Sequence, residues 1–137
     1  MSGICVALPS GVSQADELQA RTDAFADLSL KFIEGLPKTD MARRLAGQYQ
    51  DSSTSTAANY RASRRARSHA EFTSTIGIVS EEADESVFWL KRMLNANIQS
   101  TTAAIEPLLV EAEELARIFG ASYRTAKRRR GRGGTDR

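Results

Sequence analysis

The sequence has little of the chemistry that most enzymes and metalloproteins use. Its 137 residues include one cysteine, Cys5, and one histidine, His69. A single cysteine excludes an intrachain disulfide and suits a reducing compartment. One cysteine and one histidine far apart in the chain cannot supply the clustered ligands of a zinc site. The Glu-x-x-His pairs of di-metal bundle enzymes are also missing, because Ala66 stands three residues before His69.

Long apolar runs and phosphate-binding glycine loops are absent as well. No stretch approaches the roughly 20 apolar residues of a membrane span. The apolar run over residues 4–8 is too short for an export signal and follows no basic segment. The glycines near the C-terminal end precede no helix, and no nucleophile turn accompanies His69. We therefore expect a cytoplasmic protein with no catalytic residues, no metal site and no cofactor.

Proline, glycine and capping residues divide the chain into predicted helices. The first covers about 13–33, because Pro37 cannot continue a helix. The second begins near Thr39 or Asp40, either of which can cap an N-terminus. Its Ser/Thr-rich middle, 51–58, is either a loop or a helix that a neighbour approaches closely; we favour the helix, since neither Gly nor Pro interrupts it. The core-facing residues predicted for these helices are Leu18, Phe25, Leu28 and Phe32, then Met41, Leu45, Tyr49, Ser52, Thr56 and Tyr60.

The third and fourth helices carry clearer signals. Ser68 and Glu71 match a capping box at the start of the third. An apolar seam with a period of about 3.5 residues follows, as antiparallel bundles require. The fourth helix is predicted over about 102–127, with Pro107 near its first turn. The seam of the third helix consists of Phe72, Ile76, Val79, Ala83, Val87, Leu90 and Leu94.

Amphipathic segments joined by short links predict an all-α fold, an antiparallel up-down-up-down four-helix bundle. We expect residues 1–12 to form a flexible N-terminal segment and 13–127 the bundle. Residues 128–137 are expected to be a disordered basic tail, because their Arg/Gly-rich sequence buries no apolar surface. Phe88 and Trp89 lie off the seam of the third helix. Either they form a second contact between subunits of an oligomer, or the bundle wraps this helix more widely.

Positive charge is concentrated in two clusters, although the net charge is only +2. The first lies at the predicted turn between the second and third helices, and the other at the C-terminal end. Arginine binds phosphate in a bidentate manner, so both clusters are candidates for nucleic-acid binding. The alternative is that they only solubilise the chain or pair with acidic helices. Acidic clusters at 81–85 and 111–114 are interpreted as solvated faces. The basic clusters are Arg61, Arg64, Arg65 and Arg67, and Lys127, Arg128, Arg129, Arg130 and Arg132.

Several stretches of the chain are similar to a known family. They are residues 56–72, 78–85 and 88–90, and the end of the fourth helix at 113–118 and 122–127 fits the same pattern. The pattern resembles the bacterial four helix bundle proteins related to the 23S rRNA intervening-sequence protein. The resemblance implies a left-handed bundle that assembles as a homopentamer and has no enzymatic activity.

A relative of that family, the accessory protein of diversity-generating retroelements, is similar in fold. It is understood to bind nucleic acid and a reverse transcriptase through its basic surface. Carried over to this chain, the resemblance implies binding through the cluster Arg61, Arg64, Arg65 and Arg67.

The sequence thus predicts a non-catalytic homo-oligomeric bundle, a pentamer by the resemblance, that binds RNA or DNA electrostatically through both basic clusters. Its partners are then further copies of itself, nucleic acid and, by the resemblance, a reverse transcriptase or other protein, with no membrane. The alternative is a protein-interaction scaffold whose basic residues bind no nucleic acid.

Overall fold

The structure is a computed structural model that describes residues 11–98 and 102–132, apart from the side chains of 102 and 130–132. Over these residues the chain forms four helices and no strand. Consecutive helices pack against each other, and the first also packs against the last. The predicted all-α four-helix bundle is therefore confirmed. The helices are α1 (Gln14–Glu34), α2 (Asp40–Ser63), α3 (His69–Asn95) and α4 (Thr102–Arg132).

Hydroxyl caps begin the first three helices. The Ser68 hydroxyl accepts a hydrogen bond from the Glu71 N–H at 3.0 Å, as predicted for α3. The Glu71 carboxylate, however, accepts from the N–H of Arg67 rather than from that of Ser68, so only half of the predicted capping box is present. A complete box occurs instead at α1, where the side chains of Ser13 and Asp16 each accept from the other's N–H.

The Ser/Thr-rich middle of α2 is helical, which confirms the favoured interpretation. The hydroxyls of Ser52 and Thr56 donate to carbonyls three and four residues earlier in their own helix. These buried groups are therefore satisfied inside α2, and their small side chains let α3 come close. Ser86 of α3 marks the close approach, since its hydroxyl donates to that of Ser52 at 3.0 Å.

Apolar side chains from all four helices fill the core, and the predicted seam of α3 is buried or half-buried throughout. The prediction of core residues is wrong at two positions, since Leu28 is 45% exposed and Met41 is 56% exposed. The buried face of α1 passes through Ser29 and that of α2 through Ala42, so the apolar residue just before each one points outward. The largest fully buried side chains include Phe25, Tyr49, Ile76, Leu90, Met93, Ile105, Leu115 and Phe119.

The fourth helix continues to Arg132, past the predicted end at Lys127. Residues 128–132, predicted to be disordered, therefore belong to α4. Arginine is a good helix former, and a helix already held by core packing can extend into solvent without burying more apolar surface. Residues 133–137 of the predicted tail and 1–10 of the predicted N-terminal segment lie outside the described residues. Among the described helices, none combines the length and apolar character needed to cross a membrane.

Candidate nucleic-acid interface

The antiparallel order of the helices brings both basic clusters to one end of the bundle. We call it the basic end: the start of α1, the α2–α3 turn at residues 64–68, and the last turns of α4. Hydrogen bonds between side chains and from a side chain to the backbone join these parts. Arg64 Nη2 lies 2.8 Å from a carboxylate oxygen of Asp16 in α1, and His69 Nε2 lies 2.9 Å from the carbonyl oxygen of Ala126 in α4.

Side chains rather than helix dipoles make this end positive. The N-termini of α1 and α3 and the C-termini of α2 and α4 all meet there. Their partial charges are opposite in sign, so the helix dipoles largely cancel. Exposed cationic side chains remain as the source of positive potential. They are Arg61, Arg65, Arg67, Lys127, Arg128 and Arg129.

Most of these cations have no carboxylate partner within the described part of the chain. Arg67 is the exception, with its Nε 3.6 Å from Glu71, although its side chain is still 90% exposed. The ammonium nitrogen of Lys127 lies 5.1 Å from the centroid of the Tyr123 ring, a contact that leaves its charge unneutralised. Arg128 donates to a neutral partner, the Thr125 hydroxyl, at 3.3 Å. The end therefore keeps a strong positive charge.

Arg64 differs from the other members of its cluster. Its guanidinium donates to the Asp16 carboxylate and, at 2.7 Å, to the side-chain oxygen of Gln19. These contacts tie the end of α2 to the start of α1. The Arg64 hydrogen bond, together with those from Ser13, lowers the pKa of the Asp16 carboxyl below its ordinary value. Because its charge is already paired, Arg64 is less available to a phosphate than its neighbours.

The remaining two predicted cations lie at the tip of α4. The backbone of Arg130 and Arg132 continues the helix past Arg129. A helix rises 1.5 Å per residue, so these two positions extend the line of basic residues beyond the bundle. The fold thus gathers all nine predicted basic positions at or next to one end.

Two cavities open at the basic end and share Phe72 and Ser122 as lining residues. The larger, of about 530 Å³, is mainly apolar and has Arg64 at its edge. Burial in its wall raises the pKa of the Tyr60 phenol. The smaller, of about 460 Å³, lies between α1, α3 and α4, with Arg129 among its lining residues.

Phe88 and Trp89, the predicted oligomer contacts, differ in their surroundings. Phe88 is 46% exposed on the outer side of α3. Its ring packs edge-to-face on Trp89 with centroids 4.9 Å apart, and the Arg92 guanidinium lies 4.8 Å from its centroid. Trp89 is half-buried and borders a groove against Leu45 and neighbouring residues of α2. Trp89 therefore takes part in packing within the bundle, whereas Phe88 is not covered by another described helix.

A buried ion pair that was not predicted from the sequence joins α1 to α4. Arg21 donates two hydrogen bonds, of 3.1 and 2.7 Å, to the carboxylate of Glu111, and a third to Glu114. Glu111 is fully buried, so its interpretation as part of a solvated face is wrong. The Glu111 hydrogen bonds raise the pKa of Arg21 above its ordinary value. The helical spacing indicates that Glu111 faces the core, because it stands three residues after the core residue Leu108 and four before Leu115.

Within residues 11–98 and 102–132, no three His, Cys, Asp or Glu side chains gather in a way that could hold a metal ion. Burial, together with the nearby charges of Glu85, Glu81 and Asp51, raises the pKa of the Glu82 carboxyl.

Known proteins share this fold at low sequence identity. No family model matches the chain, and no curated protein does. Among solved structures, the chain is similar to a protein of unknown function from the S23 ribosomal protein family of Bacteroides thetaiotaomicron VPI-5482, with a TM-score of 0.72 and 20% sequence identity. The match covers 82% of this chain and 99% of that one. At this identity the likeness establishes that the two proteins share the four-helix bundle fold.

Proposed function

We propose that this protein is a non-catalytic helical bundle that binds nucleic acid through its basic end. The observation that carries the proposal is the meeting of two basic clusters, some sixty residues apart in the sequence, at one end of the fold. Paired surface charges are ordinary on helical proteins, but here the exposed cations lack carboxylate partners within the described residues, Arg67 apart. Such a surface attracts a polyanion.

Binding by this surface is electrostatic and only weakly sequence-specific. The cations contact phosphates and release condensed counterions, so the affinity falls steeply as salt rises, with a slope of about 0.9 per phosphate contact for duplex DNA. Contacts to phosphates position a protein on nucleic acid but do not distinguish bases. RNA and DNA are therefore both ligands of the proposed surface.

We also propose that the bundle self-associates through the exposed face around Phe88. Aromatic residues are enriched at protein interfaces, and Phe88 is an aromatic residue that is 46% exposed and packs on Trp89. Five protomers is the number implied by the resemblance to the 23S rRNA intervening-sequence protein family. Self-association repeats the basic end in each protomer, and the linked sites then bind one strand more tightly than a single site does.

Anisotropy titration of labelled RNA and DNA between about 50 and about 200 mM salt tests the proposal. The double variant Arg65→Gln/Arg128→Gln removes two cations from the basic end. Its matched control, Lys38→Gln/Arg44→Gln, removes two exposed cations from elsewhere. We expect the first to weaken binding and to reduce the salt slope by about 2, and the control to do neither. Salt-independent binding, or an equal loss in both variants, would contradict the proposal.

A second candidate function is a protein-interaction scaffold, favoured by the exposed ring of Phe88 and by the groove beside Trp89. Its partner would be another protein, with a reverse transcriptase as the class implied by the resemblance. In that case the basic end only solubilises the bundle. The absorbance ratio at 260 and 280 nm of the freshly purified protein separates the two candidates, because co-purifying nucleic acid raises it.

A further inference from the structure

We infer that the smaller cavity at the basic end holds an unpaired nucleobase, and that the nucleic acid bound there is single-stranded. This inference rests on the proposed function and specifies its ligand. Phosphate contacts alone would accept duplex and single strand alike. A cavity that takes a base discriminates between them.

Two rings form the aromatic wall of the cavity. His69 and Phe72, three residues apart on α3, have ring centroids 6.3 Å apart and planes inclined by 33°. Both side chains are half-buried, so part of each ring remains accessible. The hydrogen bond between His69 Nε2 and the carbonyl oxygen of Ala126 holds the imidazole in place. An ordered, partly open aromatic surface is what base stacking requires.

Polar groups of α4 complete the lining. The Ser122 hydroxyl donates to the carbonyl of Ile118 and keeps its lone pairs free to accept. Arg129 is exposed at the edge, where its guanidinium can contact the phosphate next to a bound base. The cavity thus combines an aromatic wall, neutral hydrogen-bonding groups for a base edge, and a cation for the backbone. Its lining is Gln14, His69, Phe72, Ala121, Ser122, Thr125, Ala126 and Arg129.

The larger cavity does not offer the same surface. It shares Phe72 but lacks His69, and its other aromatic rings, Tyr60 and Phe119, are 6% and 0% exposed, so they have almost no area for a base to stack on. The smaller cavity instead opens beside Arg129 and the last turns of α4, where the unpaired cations lie.

Bases of a duplex are paired and stacked, so a base enters this cavity only from an unpaired strand or after being flipped out. Stacking of one base on an aromatic side chain strengthens binding by about fivefold or more. The single strand is therefore preferred over a duplex that offers the same phosphates.

Three labelled probes of about 12 nucleotides test the inference: a mixed-sequence single strand, its duplex, and a strand of abasic sites that keeps the phosphates but has no bases. The wild-type protein is expected to bind the single strand about fivefold or more tightly than the abasic strand. Phe72→Leu is expected to lower affinity for the single strand to that of the abasic strand and to leave the abasic affinity unchanged.

A second variant makes the test independent of core packing. Ala121→Leu fills the cavity from an exposed lining position, and Ala58→Leu places the same change at an exposed position of α2 as a control. Only the first should remove the preference for bases. Equal wild-type affinity for the single-stranded and abasic probes, or tighter binding of the duplex, overturns the inference and leaves the proposed function standing. A wild-type protein that binds none of the three at low salt overturns both.

Discussion

Arg21 and Glu111 lie ninety residues apart in the chain, yet the guanidinium of the first donates two hydrogen bonds to the fully buried carboxylate of the second. The pair joins α1 to α4, the helices with the least extensive contact among the packed pairs. The ion pair therefore helps to hold α1 against α4, a role that apolar packing fills at the other helix interfaces.

Breaking this pair should cost more stability than breaking an exposed one. Arg21→Ala leaves the carboxylate of Glu111 buried without its partner, and we expect a loss of about 3–5 kcal/mol in the free energy of unfolding. The exposed pair of Lys91 and Glu113, with a 3.7 Å separation, is the control; Glu113→Ala should cost about 0–1 kcal/mol. Urea denaturation followed by circular dichroism measures both. Similar losses in the two variants would show that the buried pair has no special role.

The link between Arg64 and Asp16 should be visible in a pH titration. Since Arg64 lowers the pKa of the Asp16 carboxyl, Arg64→Gln should raise that pKa towards its ordinary value. The carboxyl titrates lower in the folded protein than in the unfolded chain, so its contribution to stability is present above the unfolded pKa and is lost as pH falls through the folded one. NMR titration of the Asp16 side chain measures the shift. Arg61→Gln is the control, and an equal shift there would rule out the direct contact as the cause.

Two helical glycines should respond to alanine in opposite directions. A Cβ at Gly47 meets nothing within 4 Å, so Gly47→Ala should stabilise the protein by about 0.5–1 kcal/mol through helix propensity. A Cβ at Gly77 would lie 2.8 Å from Cε1 of Tyr123, so Gly77→Ala should destabilise it by about 1–3 kcal/mol. Thermal and urea unfolding check the signs. A gain at Gly77 would mean that the Tyr123 ring moves away without cost.

Removing the end of α4 should weaken nucleic-acid binding without unfolding the bundle. Truncation after Ala126 deletes the basic C-terminal cluster but keeps the backbone carbonyl that contacts His69. We expect weaker nucleic-acid binding and a smaller salt slope, with little change in the unfolding temperature, because the deleted residues contribute no buried side chain among those described. Anisotropy titration and thermal unfolding measure the two effects. Unchanged affinity would show that this cluster takes no part in binding.

Self-association should depend on the outer face of α3. Phe88→Glu places a charge where we propose that two subunits meet, and it should reduce the molar mass measured by light scattering after size-exclusion chromatography. Ile78→Glu changes another exposed apolar residue on the same helix and serves as the control. A mass unaffected by Phe88→Glu would exclude this face, and a wild-type monomer would contradict the proposed oligomer.

Local signals predicted the helices well, because caps and breakers act within a few residues of where they stand. Thr39 and Ser68 cap the helices that they were expected to cap, and α1 ends just before Gly35. Within the helices, the sequence defines the buried face less precisely. Leu28 and Met41 are exposed because an apolar stripe defines the buried face only to within about one residue position, and the neighbouring helices decide the rest.

Partners distant in the sequence could not be predicted from it. Glu111 can be buried because Arg21, on another helix, pairs with it. A cluster of acidic residues has the same sequence whether or not such a partner exists in the fold. The up-down order of the helices places the turn at 64–68 and the end of α4 at the same end of the bundle. Whether Arg64 faces solvent or Asp16 depends on distances of a few ångströms, which side-chain packing alone determines.

The small side chains of α2 determine how close α3 lies to α2. The position of α3 in turn affects both candidate surfaces, the smaller cavity at the basic end and the exposed face around Phe88. The hydroxyls of Ser52 and Ser86 lie 3.0 Å apart, so only two small side chains separate α2 from α3 at this point. A larger apolar residue at position 52 would raise the hydrophobicity of the sequence yet force α3 outward, because Ser86 lies directly beside it. Because α3 carries both Phe72 and Phe88, that one displacement would move the base-sized cavity and the outer aromatic face together. A redesign of this protein for stability should therefore leave the hydroxyl residues of α2 unchanged.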